Sequence, residues 1–122
     1  MGDYDFYAAQ LRFAAAKAGE ADPGVAGMMA ALSRAADQIR DGREMRVPAE
    51  DLRLTARALA GVAGFLQRHI LPEVVAAGNA LGERQVRWTI DTSMACVARL
   101  MTHAELTGDG EALSMTLPDP PV

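Results

Sequence analysis

Three side chains have the types and spacing for acid–base work. Arg99 and His103 lie four residues apart, so a helix through them sets both on one side, with Asp91 about two turns earlier. A carboxylate, a guanidinium and an imidazole on one helical flank can orient and move a proton. No serine or cysteine stands at a recognisable spacing to serve them as nucleophile. The simpler expectation for the trio is a polar flank laced by salt bridges. An enzyme built on Asp91, Arg99 and His103 therefore ranks last among the functions weighed below.

Other helical chemistries fit less well. HEPN-type ribonucleases need a wider gap between Arg and His than Arg99–His103 provides, and Arg68–His69 leaves none. Histidine phosphotransfer domains follow their histidine with Lys and Gly, whereas His69 precedes Ile70 and His103 precedes Ala104. A di-iron bundle uses Glu-x-x-His pairs, which this chain lacks; Pro72 disturbs the turn between His69 and Glu73. There is no Cys-x-x-Cys, so no zinc or covalent haem site is expected, and no other cofactor is implied. Cys96, the single cysteine, reads as a small packing residue and excludes an intrachain disulfide.

A second constellation is basic. Arg53, Arg57 and Arg68 share the outward side of one expected helix, with Gly61 and Gly64 between them, and Arg84 lies near the next helix start. Glycine costs about 1 kcal/mol against alanine in a helix, so the pair wants a reason. A shallow groove edged by guanidinium groups would receive an anionic small molecule or an acidic partner segment. A solvated basic face, with the glycines admitting a neighbouring helix, is the plainer alternative.

The elements that must position these residues are helical. Half of the 122 residues are hydrophobic, yet aromatics make up only 5% and alanine carries much of the rest. No alternating run is long enough for a convincing strand, so the composition predicts an all-α antiparallel four-helix bundle. Helix 1 is expected from a cap at Asp3 or Asp5 to about Ala18, before Gly19. Helix 2 should start at Asp22–Pro23 and end at Gly42, with Val25, Met28, Met29, Leu32, Ala35, Ala36 and Ile39 inward. A basic linker, Arg43–Val47, leads to helix 3, which opens at Pro48. Pro72 kinks or ends helix 3 and leaves room for a short extra helix. Helix 4 is expected from Glu83 to Leu106, with a core stripe of Val86, Ile90, Val97, Leu100 and Ala104 flanked by Met94 and Met101. The bundle domain then covers residues 1–107. Residues 108–122 form an extended or mobile tail, whose alternating Leu113, Met115 and Leu117 could be held by the bundle or a partner.

Some apolar residues exceed what this bundle needs. On helix 1, Tyr4, Tyr7, Leu11 and Ala18 share one face while Phe6 and Phe13 lie nearly opposite. Phe65 and Trp88 also sit off their helices' main stripes. These four aromatics predict an interface, most simply a homodimer. The leading expectation is thus a non-catalytic interaction module: an adaptor, chaperone-like factor, regulator or accessory subunit, partnered by itself or another protein. The alternative is a bundle that binds a small apolar or anionic ligand near Phe65, Met94 and Met101. The net charge of −4 argues against nucleic acid as a partner. No membrane-spanning run or leader pattern appears, so a cytoplasmic location is the default expectation.

Overall fold

A computed structural model describes residues 5–21, 25–40, 44–119 and 121 of the chain. The expected roles of Asp3, Tyr4, the Asp22–Pro23 start and Gly42, and any capping by the Asp5 side chain, fall outside what is described. The fold is all-α in character, with a minor sheet. Helix α1 spans Asp5–Ala21, α2 Ala26–Asp37, α3 Leu52–Phe65, α4 Leu71–Ala76 and α5 Ala80–Thr107. Helix α1 packs on α2, α2 on α3 and α3 on α5.

Local chemistry sets most of the boundaries. Asn79 caps α5, its side-chain oxygen accepting from the Gly82 N–H at 2.9 Å, so the helix begins three residues before Glu83. Gly108 ends α5 in the left-handed region at φ 62°, where glycine carries no steric penalty. Pro48 precedes a 3₁₀ turn at Ala49–Asp51 that leads into α3. Gly19 does not break α1, which runs on to Ala21.

Pro72 is accommodated by a change of helical pitch. Proline lacks an N–H and crowds the carbonyl four residues back. The chain widens into a π-helical turn at Leu66–Ile70 and then resumes as α4, with Pro72 in its first turn.

The expectation of a strand-free chain is corrected. Ile39–Arg40 (β1), Glu44–Val47 (β2) and Leu113–Thr116 (β3) form an antiparallel sheet in the order β1-β2-β3. Met45 pairs with Met115, and Val47 with Leu113. In β2 the residues Met45 and Val47 are buried while Glu44 and Arg46 are exposed, so a short alternation does carry a strand. Helix α2 accordingly stops at Asp37, before Gly42, and Ile39 leaves the helix for the sheet. Met115 and Leu117 join the core beneath the helices.

The inward face of α5 is rotated from the expected stripe. Its buried residues are Val86, Thr89, Thr92, Ser93, Cys96, Leu100 and Ala104. Ile90 and Val97 are half-buried, and Met94 is exposed. The cause is polar pairing with α1. The hydroxyls of Tyr7 and Ser93 lie 3.0 Å apart, and Thr89 donates to the Gln10 side-chain oxygen at 2.8 Å. The Gln85 carbonyl oxygen lies 2.9 Å from the same hydroxyl, whose single proton is shared between the two acceptors. The hydroxyls of Thr89 and Ser93 so satisfied cost little, whereas that of Thr92, buried beside them, has no hydrogen-bond partner.

Candidate functional site

The acid–base trio is only partly assembled. Arg99 and His103 line a shallow surface concavity of about 340 Å³, together with Ala98, Thr102, Leu106 and Leu113. Asp91 is exposed on α5 and is not among the lining residues. The His103 Nε2 atom lies 3.0 Å from the Glu111 carbonyl oxygen, so that ring nitrogen carries the proton when it makes this bond. A second concavity, about 420 Å³, lies between α1 and α2, lined by Arg12, Ala15, Ala16, Ala26, Met29, Ala30 and Ser33. Phe65, Met94 and Met101 line neither.

Cys96 is buried, and burial pushes its thiol up to about 11 while Arg99 pulls weakly the other way. A thiol so protonated is a poor nucleophile near neutral pH. Burial likewise holds the Tyr7 phenol well above its ordinary range, aided by Cys96 and opposed by the hydrogen bond with Ser93. Both groups release their protons at lower pH in the unfolded chain than in the folded one. The Cys96 contribution to stability is therefore intact below its ordinary value of 9.0 and is lost as pH climbs toward about 11, while that of Tyr7 is lost only as pH climbs above its ordinary value of 10.0. We expect Cys96 alone to cost about 1 kcal/mol of stability between pH 8 and pH 10. Urea unfolding at the two pH values, repeated with Cys96→Ala, checks this. An unchanged pH slope in the variant would refute it.

The basic row is present but partly engaged. Arg53 Nε lies 3.0 and 3.1 Å from the two Asp109 carboxylate oxygens. Arg57, Arg68 and Arg84 are exposed. The Arg68 guanidinium lies over Gly64, where an added Cβ would meet its nitrogen at 3.2 Å, whereas the space above Gly61 is open. The expected groove is thus half filled by its own arginine.

One charged pair went unread in the sequence. Asp51, only 2% exposed, accepts two hydrogen bonds from Arg34 on α2, each 2.8 Å long. Asp51 ends the 3₁₀ turn just before α3. The bidentate partner, 17 residues earlier, leaves no local signal.

The four aromatics expected at an interface divide into two pairs. Phe6 and Trp88 are half-buried within the protomer, their ring centroids 5.3 Å apart at 50°. Tyr7 meets the same indole edge-on, at 5.3 Å and 88°. The indole N–H donates to the Asp119 carbonyl at 2.7 Å, so residues beyond β3 close over this cluster. Phe13 and Phe65 instead remain 66% and 52% exposed, and Phe65 lies 5.1 Å from the His69 ring. Val75, Leu81, Met94 and Leu106 are further exposed large apolar residues.

The chain matches no protein-family model, no curated protein and no solved structure. Among the described residues no helix is long and apolar enough to cross a membrane, and no three His, Cys, Asp or Glu side chains gather as metal ligands.

Proposed function

We propose that this protein is a non-catalytic interaction module, an adaptor, chaperone-like factor, regulator or accessory subunit, that works as a homodimer. The observation that carries this reading is the exposure of Phe13 and Phe65, whereas Tyr7 is buried and Phe6 and Trp88 are half-buried against the core. Each large apolar side chain taken out of water contributes roughly 1.5–3 kcal/mol. Covering Phe13 and Phe65 on each of two copies yields about 6–12 kcal/mol gross. Association itself costs an estimated 4–15 kcal/mol, so a dimer of this kind is sustainable.

Light scattering on the native particle tests the proposal. We expect a mass of two chains at micromolar concentration. Phe13→Asp or Phe65→Asp, whichever lies in the contact, should weaken association on the order of a hundredfold or more, because each change enters the dimer twice. Helicity should be unchanged. A monomer at tens of micromolar with both phenylalanines intact would remove the reading.

A small-molecule role has one observation in its favour. The concavity at Arg99 and Leu106 offers a guanidinium beside an apolar floor, which suits a small apolar ligand with an anionic end. A thermal-shift panel of acyl and phosphorylated compounds distinguishes the two readings.

A further inference from the structure

We propose that the open edge of strand β3 is a docking track for an extended segment of another protein, one that alternates apolar residues and brings a carboxylate to Arg99. This rests on the chain being an interaction module but not on its being a dimer, and the surface is separate from the exposed phenylalanines.

Main-chain geometry shows that the edge is open. The Arg46 N–H donates to the Gln38 carbonyl at 3.4 Å, so Arg46 turns its main-chain groups toward β1. Successive residues of a strand turn theirs to opposite sides. Met45 and Val47 therefore face β3 and pair with Met115 and Leu113. The N–H and C=O of Ser114 and Thr116 are left pointing outward, where the sheet ends. Both residues are exposed, and among the described residues no main-chain group meets them on that side. Edge strands are commonly blunted by a charge, a proline or a bulge. Leu113–Thr116 carries neither charge nor proline.

A surface for a further strand lies beside this edge. Leu113 forms one wall of the concavity whose other wall is α5, at Ala98, Thr102 and Leu106. These three follow one another at helical spacing, on a flank of α5 turned away from the buried Cys96, Leu100 and Ala104. A fourth strand, about 4.8 Å beyond β3, would run above that flank and lay its inward side chains into the concavity. Leu106, 81% exposed, would find its cover there.

Charge selects the occupant. Arg99 lines the same concavity and makes no ion pair among the described residues. A second copy of β3 would bring it no carboxylate, since Leu113–Thr116 has none. A foreign strand with an inward Asp or Glu supplies one. Its main chain gives affinity and its alternate side chains give specificity, as in strand addition generally.

Three blocked heptapeptides test this: Ser-Val-Thr-Leu-Thr-Val-Ser with glutamate replacing each apolar residue in turn, so that the carboxylate samples each inward position. At millimolar concentration we expect one of them to slow exchange of the Ser114 and Thr116 amide protons by about tenfold or more. The Leu113 and Met115 amides should be protected with or without peptide. The glutamine version should bind about threefold more weakly at low ionic strength and equally well at high. N-methylation of the two threonines, whose N–H groups would face β3, should abolish binding, whereas N-methylation of the central residue should not. In the chain, Ser114→Pro removes an outward N–H and no bond to β2, and should abolish binding too. No protection by any of the three peptides, equal binding of the glutamate and glutamine versions at low ionic strength, or binding that survives threonine methylation would overturn the proposal. So would a dimer that Ser114→Pro turns into a monomer, since the edge would then belong to a second copy. Should Ser114→Pro not fold, the peptide variants decide, because they leave the chain unaltered. A monomer that still binds the peptide would remove the dimer and leave this proposal standing.

Discussion

Replacing Tyr7 with alanine is expected to cost about 3–5 kcal/mol of stability, the range found when a large buried aromatic is cut back. The side chain is fully buried, touches the indole of Trp88 edge-on and brings its hydroxyl to 3.0 Å from that of Ser93. Its loss opens a cavity between α1 and α5 and strands a buried serine hydroxyl at once. Tyr7→Phe separates the two effects. It keeps the ring and removes only the hydrogen bond, for about 1–2 kcal/mol. Urea denaturation with an unchanged m-value reads both. Should Tyr7→Ala cost no more than Tyr7→Phe, the ring does not hold α1 against α5 as described.

The second large effect is expected at Arg34. Truncating it to alanine leaves Asp51, 2% exposed, with neither of its two 2.8 Å bonds from that guanidinium. Breaking a fully buried pair costs about 3–5 kcal/mol, and the half-exposed arginine lowers this to about 2–3 kcal/mol because water already screens it. Removing both partners should cost less than the two single changes summed, by about 1 kcal/mol or more, since no lone carboxylate is left behind. Arg34→Lys should recover only part of the loss, because an ammonium cannot match the bidentate fork. Additive single changes in a double-mutant cycle would show the pair to be decorative.

Local signals in the sequence were strong where one residue settles a conformation. Pro48 stands before the turn that opens α3, as expected, and α5 ends at Thr107, one residue past the expected Leu106. The inward residues of α2, Leu32, Ala35 and Ala36, followed from helical spacing alone. What escaped depends on partners far along the chain. Thr89 and Ser93 look like surface residues until Gln10 and Tyr7, 79 and 86 positions away, supply their hydrogen bonds. The strands were missed for the same reason. Four residues such as Glu44–Val47 carry too short an alternation to stand out, and β2 pairs with a segment on the far side of α5. Of the candidate site residues, the exposed Phe13 and Phe65 were legible from surplus hydrophobicity. The covered Phe6 and Trp88 were not, since their cover is each other and the tail.

The distance between β2 and β3 also bears on how the protein is made. On the ribosome Met45 and Val47 emerge well before their partners Met115 and Leu113, with the whole of α3 and α5 synthesised in between. Throughout that interval the hairpin of β1 and β2 presents an unpaired backbone rim beside two greasy side chains, the kind of template on which nascent chains stick to one another. Translation speed across α5, and any chaperone that shields the hairpin meanwhile, should therefore govern how much of this protein reaches its native form.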